Sequence, residues 1–552
     1  MEMVKLRLCS LIFIVFLSCL SQSYAQFVPV YDVKNNHERD LQLISGHGMT
    51  NSWMIRPLYS IPDVKYNIEI PQLGIKGISG VTKIRRTSLF NSTFGYGPNL
   101  ESIFPARGLS ALLSVQSFTK VGRVSLQLEP EIVYSQNAES QTFPAAYPDW
   151  LWTLLYLNYL NLIDTPEHYT NSSYLQLHPG NSALSIEYKN LQASISTRSL
   201  WWGPAKRNSL LITNNAPGFF HFSFQNLKPF DTKIGSFEFQ AIWGRLVNSG
   251  IDPVPYRLFE NLTPMPYIPK PDDWRLIQGL IFTWQPKWTP GLYVGFGRTL
   301  ITYSKNIKRA DHLFSSFRKL TYELPLADFG ENPDLRDKFD DKFAMYVRYV
   351  APKEMLEIYA EAGRSMRFGS WRDFMRKPEH TFAYSIGLNK MYDFIYDNTY
   401  WGIEVEFTQF DQQQTWRERN YPSWYTSYVV PHGHTNNGQI LGSAIGPGSN
   451  SQYFALNFYN KWDRAGIFVE RILYNNDLYY KLFTTSLYRH WADFNFGLSG
   501  NYSYGQFDFS GHIMRMRTLN YKYIELTTRP GFEYIGNDLW NWNLVLTVSY
   551  RL

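Results

Sequence analysis

Two pairs of carboxylates fall at spacings that chemistry can use: Glu404 with Glu406, and Glu357 with Glu361. Residues two or four apart on an extended chain share one face, and two carboxylates facing one substrate are the apparatus of glycosidic cleavage. The same residues serve equally well as partners for Arg348, Arg464 and Arg551 on neighbouring strands, and that pairing is the plainer reading. His432 and His434 could share a metal, but no third ligand accompanies them at a recognisable spacing, so they are expected in a solvated loop. Cys9 and Cys19 are the only cysteines. No Gly-x-Ser-x-Gly elbow, phosphate loop or nucleophile with its base is present, so no catalytic residue, cofactor or metal is assigned.

A different chemistry is offered by Trp201, Trp202, Lys206, Arg207, Asn208, Asn214 and Asn215. Indole faces stack on the CH faces of sugar rings, side-chain amides bond hydroxyls, and the two cations meet acidic sugars. The plainer alternative places both tryptophans in an aromatic belt at a membrane interface, with Gly203-Pro204 merely ending a strand. Gly442 to Gly448 likewise offers either backbone for close approach of a ligand or, more simply, a tight turn.

The elements that must carry these residues are strands. Aromatics make up 17% of the chain, yet the mean hydropathy is −0.30. A chain is aromatic-rich and polar on average when its apolar residues occupy alternate positions instead of gathering into helices. The C-terminal stretch shows this pattern: Trp542, Leu544, Leu546, Val548, Tyr550 and Leu552 lie on one side of a strand, with Asn543, Val545, Thr547, Ser549 and Arg551 opposite. The period returns at Val124–Leu128, Phe237–Trp243, Trp401–Phe407 and Phe494–Leu498, with Glu129, Glu238, Glu404 and Glu406 on the second face. Apolar faces tipped with Trp and Tyr suit a bilayer, and the opposite faces predict a polar, partly charged lumen.

The first 25 residues read as a secretory leader: Lys5 and Arg7, an apolar run Leu11–Leu17, then Ser23-Tyr24-Ala25 before a cleavage point at Gln26. Beyond it no run reaches the roughly 18 apolar residues that a spanning helix needs. Residues 26–71 are expected to form a small periplasmic segment, with a short helix His37–Ser45 capped by Asn36, packed under or inside a barrel that occupies residues 72–552. Long loops are expected at Ile251–Asp273, Asn306–Asp341 and Tyr421–Ser451. A net charge of +6 without a basic run gives no sign of a nucleic-acid partner. The partners expected are outer-membrane lipid, the barrel-assembly machinery that reads the last strand, and no second copy of the chain.

Two segments go further. Ser199-Leu200-Trp201-Trp202-Gly203-Pro204-Ala205-Lys206-Arg207-Asn208 continues to Asn214-Asn215-Ala216-Pro217, and His432-Gly433-His434 is followed by Gly438 to Gly448. In this order, on a barrel-like background, they resemble the Wzi family of capsule assembly proteins. The resemblance implies an all-β transmembrane antiparallel barrel of about 18 strands with a small N-terminal helical periplasmic segment. It further implies a lectin-like function, holding capsular or other surface polysaccharide at the bacterial outer membrane. Composition alone favours a porin or substrate channel instead.

Overall fold

Leu539–Arg551 is bonded antiparallel to Phe507–Leu519 on one side and to Ile75–Asn91 on the other, with Leu544 opposite Phe90 and Tyr550 opposite Ile84. The last strand thus meets the first, and a closed sheet has no exposed edge to leave unpaired in lipid. The 22 segments of the main sheet form an antiparallel barrel of 18 strands, because two strands are interrupted and two segments are short extensions. The computed structural model describes residues 27–31, 39, 51–59, 68–70, 75–144, 147–170, 172–253, 267–308, 310–321, 338–393, 399–413, 421–460, 463–484, 489–529 and 532–552. The leader expected at residues 1–25, most of the helix expected at His37–Ser45, the middle of Ile251–Asp273 and much of Asn306–Asp341 lie outside these residues.

Alternation decides which side chain faces where. Leu113, Ile132, Met345, Phe496 and Leu546 are exposed on the outer face, while Gln127, Glu129, Glu406, Asn495 and Asn543 are buried on the inner one. The outer face is therefore the lipid face. Connections alternate as well. Val121 to Val124, Tyr188 to Leu191 and Tyr504 to Phe507 are tight turns, whereas residues 92–107, 136–173, 197–219 and 410–449 leave the opposite end. Short turns mark the periplasmic end and long loops the outer one. Among the described residues no helix is long and apolar enough to cross a membrane.

The lumen departs from the polar interior expected. Trp202, Leu210, Leu211, Ile212, Tyr346, Trp424, Tyr425 and Leu441 belong to one apolar core cluster. Half of it comes from the connections 197–219 and 410–449, which fold inward instead of outward. The N-terminal segment joins them: Ile55–Arg56 pairs with Trp201–Trp202, and Trp53 and Met54 are buried.

Candidate functional site

The inward course of residues 197–219 is set by two carboxylates on the barrel wall. Glu361, on strand Leu356–Arg364, accepts from Ala205 N and Leu210 N at 2.9 Å each and from Ser209 Oγ at 3.0 Å. Glu406, on strand Thr399–Gln409, accepts from Lys206 N at 2.9 Å, Arg207 N at 3.2 Å, Asn208 N at 2.8 Å and Tyr359 OH at 2.8 Å. A turn of backbone N–H groups wrapped around a carboxylate satisfies both partners where water is scarce. Close approach requires Gly203: its φ is +117, and a Cβ there would lie 2.2 Å from Glu361 Oε1.

This geometry decides the carboxylate pairs. Glu357 bonds Arg348 Nε at 2.5 Å and Arg39 Nε at 2.9 Å, as the ion-pair reading expected of Arg348. Glu361 and Glu406 take backbone donors instead of arginine, a partner that spacing along the chain cannot reveal. Arg551, offered as another partner for these glutamates, instead lies 3.0 Å from Asp508 near the periplasmic rim. Glu404 lines a cavity and its neighbour Glu406 is held by the plug, so the two do not face one substrate as a cleaving pair must.

The second inward segment closes on the first. Tyr425 OH donates to Leu210 O at 2.9 Å, Thr213 N to Leu441 O at 2.7 Å, and Asn215 Nδ2 to Ile440 O at 2.9 Å. Ser443 Oγ donates to Asn208 Oδ1 at 2.7 Å. An Asn437-Gly438 turn with positive φ at both residues joins the small hairpin Thr435–Asn436 and Gln439–Ile440, as the mirror-image turns of hairpins require. The histidines correct the expectation of a solvated loop. His432 is 4% and His434 1% exposed; His434 Nε2 donates to Leu211 O at 2.8 Å and His432 Nδ1 shares a hydrogen bond of 2.7 Å with Tyr303 OH. Burial above all, then the charges of Arg275 and Lys270, holds His432 at about 3. Burial and then Lys342 do the same for His434. Both rings are neutral at neutral pH. No cluster of three or more metal-ligating side chains occurs among the described residues.

The tryptophans are neither an open stacking platform nor belt anchors. Trp202 is fully buried in the lumen, its Nε1 donating to Gln240 Oε1 at 2.7 Å. A Cβ on the wall residue Gly279 would lie 2.5 Å from its ring. Trp201 is buried beneath the Arg56 guanidinium, 4.5 Å from the ring centre. Asn214 is buried as well, its Nδ2 donating to Asn99 O at 3.1 Å. Lys206 lies 3.8 Å from Glu357. The two segments that stand out in the sequence are thus the two halves of a plug.

Above the plug, at the long-loop end, is a cavity of about 300 Å³. Arg207, Asn208 and Asn215 form part of its floor, and Tyr96, Phe143, Trp491 and Tyr521 lie around it with Glu167 and Lys522. Lys522 forms an ion pair with Glu167 and lies 4.7 Å from the Phe143 ring centre and 5.3 Å from that of Trp491. Trp491 meets Tyr521 edge-on at 5.1 Å. A second cavity of about 300 Å³ lies lower in the lumen, lined by Trp201, Lys206, Asn214, Glu404 and again Arg207. The aromatic residues of the outer cavity were missed in the sequence because they come from four separate connections and share no motif.

A closed outer-membrane barrel, filled among its described residues by its own connections and holding an aromatic, charged cavity at its outer end, is a plugged barrel. It belongs to the Wzi family of capsule assembly proteins, whose model, described as "Capsule assembly protein Wzi", matches residues 107–462. The fold is similar to that of Wzi of Escherichia coli, described as an outer membrane protein involved in group 1 capsule assembly and a carbohydrate binding β-barrel. The TM-score is 0.58 at 10% identity, covering 96% of this chain and 100% of that chain. Pseudomonas aeruginosa OpdQ superposes with a TM-score of 0.41 at 9% identity, over 86% of this chain and 98% of that one. No curated protein sequence matches the chain.

Proposed function

We propose that the chain binds capsular polysaccharide in its outer cavity and so holds capsule at the cell surface. The observation that carries this reading is the convergence, at the outer end, of Tyr96, Trp491 and Tyr521 with Arg207, Glu167 and Lys522 around one space. Rings stack on sugar CH faces, and the charged groups bond hydroxyls and carboxylates. Membership of the family and the carbohydrate binding of the Escherichia coli barrel support it. Arg207, Asn208 and Asn215 are the residues of the sequence motif placed to touch the glycan; Trp201, Lys206 and Asn214 face the lower cavity. Trp202 lines neither and acts through the plug.

The test is capsule retention, as cell-bound against shed polysaccharide normalised to folded barrel. Trp491→Ala and Lys522→Gln are expected to lower normalised retention, with stacking at Trp491 contributing about 1 kcal/mol. Unchanged retention in both variants, with folded barrel at the wild-type level, would remove the outer cavity from consideration.

A further inference from the structure

Three strands carry polar side chains on the wrong face. Along Arg275–Pro286, Leu292–Tyr303 and Asp340–Ala351, the positions that alternate with the lumen residues face outward, and Phe282, Val294, Met345, Val347 and Tyr349 are exposed there as lipid-facing residues should be. Continuing to the outer ends on the same face come Gln278, Arg298 and Asp341. All three are buried. A charge bare on the lipid face is unfavourable, so something must cover these groups.

The cover is made by two connections that fold down over the outside of the wall. Ser315 N donates to Gln278 Oε1 at 3.0 Å. Arg298 Nε bonds Asp341 Oδ1 at 3.0 Å, while its Nη1 donates to Ser316 O at 3.2 Å. Arg367 Nε reaches Asp341 at 3.3 Å from the second connection. Phe368 packs edge-on against the outward Phe343 at 5.4 Å, and its N–H donates to Leu320 O at 2.9 Å, tying the two connections into one flap. On the neighbouring strand the lipid-facing Trp243 donates from Nε1 to Leu313 O at 2.6 Å.

What the flap turns outward is apolar: Phe314, Phe317, Trp371 and Met375 are 58%, 63%, 62% and 74% exposed. Beside them stand Lys319, Arg372 and Arg376, all exposed. Residues 310–321 and 365–377 together carry six arginines and lysines against two aspartates. Near the outer ends of their own strands, Phe90, Trp540 and Trp542 are likewise exposed on the lipid face, and the apolar side of the flap, at the outer ends of its three strands, adds to that band. Greasy rings with cations beside them at a membrane rim match a lipid with acyl chains below and negative charge above.

From this placement we infer that the flap formed by residues 310–321 and 365–377 is a binding site for a phosphorylated glycolipid of the outer leaflet. Phe314, Phe317, Trp371 and Met375 lie along its acyl chains, and Arg372, Arg376 and Lys319 meet its phosphates. The site is separate from the polysaccharide cavity, from which it is divided by the barrel wall, and does not depend on the reading of that cavity.

The experiment uses the full-length barrel in phosphatidylethanolamine nanodiscs containing a fluorescent diphosphorylated lipid A, its dephosphorylated form, or no lipid A with inorganic phosphate in solution. Affinity is read by energy transfer from the barrel's tryptophans, and folding by migration of unheated samples. The wild type is expected to bind diphosphorylated lipid A, and Arg372→Gln with Arg376→Gln to weaken it on the order of tenfold. Phe314→Ser with Phe317→Ser is expected to weaken both lipid forms. Arg123→Gln, in a turn at the other end, leaves binding unchanged. Equal affinity for the two lipid forms, wild-type affinity in the arginine variant, or stabilisation of the unheated folded form by inorganic phosphate alone to the extent seen with lipid A would overturn the inference. So would two barrels per disc held together through this face and separated by Phe314→Ser with Phe317→Ser.

Discussion

Arg207 Nη2 donates to both carboxylate oxygens of Glu470 at 3.2 Å, and Arg207 lines both the outer cavity and the lower one. The guanidinium also lies 4.0 Å from the Tyr453 ring centre, and Tyr96 OH donates to Glu470 at 3.4 Å. Removing the side chain joins two spaces of about 300 Å³ each. Arg207→Ala is therefore expected to raise single-channel conductance in a planar bilayer above a wild type that scarcely conducts. A wild type with porin-like conductance would restore the channel reading that composition suggested.

Glu361 fixes the depth of the plug. In Glu361→Ala, the N–H groups of Ala205 and Leu210 lose their acceptor in a buried place, each at a cost of about 1–3 kcal/mol, while the Ser209 hydroxyl keeps Trp202 O. The barrel strands keep their own ladders, so the loss falls on residues 197–219. External protease should cut this segment in the folded variant and spare it in the wild type. A wild-type digestion pattern would show that the plug is held by its apolar core alone.

The barrel was legible because its signal is local. Trp542, Leu544 and Leu546 face lipid and Asn543 faces the lumen, as alternation requires. The plug was not legible for the opposite reason. Nothing in Trp201-Trp202-Gly203-Pro204 tells whether the indoles meet water, lipid or protein; that is settled by Glu361, Glu406 and Gln240, all contributed by distant strands. Likewise His432 and His434 sit in a stretch rich in glycine and polar residues, the composition of a solvated loop, and are buried only because Tyr303 and Leu211 O lie where the segment folds inward. The flap shows the same limit: Arg298 and Asp341 occupy lipid-facing positions by their period, and only the connections covering them reconcile the two.

The neutral histidines give the plug a pH dependence with a definite sign. His434 is held at about 3 in the folded state, against about 6.5 in an unfolded chain. Between these values the unfolded chain binds the extra proton, so stability is full above about 6.5 and falls as pH drops toward 3. Asp411, pushed up to about 7 by burial and then by Asp477, works the other way, losing stability as pH rises from about 4 to 7. The two are separable by substitution. His434→Gln keeps a donor for Leu211 O and should flatten the loss on the acid side. Asp411→Asn should instead remove the decline toward neutrality. Both are read from the temperature at which unheated and heated forms become indistinguishable on a gel, from pH 4 to pH 8. Parallel profiles for all three proteins would show that neither group's pKa differs between the folded barrel and the unfolded chain.

Trp202 separates holding the plug from holding the glycan. Its ring is fully buried, it touches the wall where Gly279 leaves room, and its Nε1 bonds Gln240. Trp202→Ala opens a void in the lumen core and leaves the Gln240 oxygen without this donor, a loss of about 3–5 kcal/mol by analogy with other buried aromatics. The strands themselves lose nothing, so folded barrel is still formed, in smaller amount or with a lower melting temperature. Polysaccharide retained per folded barrel should then stay near the wild-type value, whereas Trp491→Ala lowers it without a comparable loss of stability. The reverse result, with normal stability in Trp202→Ala and lost retention, would place the glycan in contact with the motif itself. The plug would then have to open during binding.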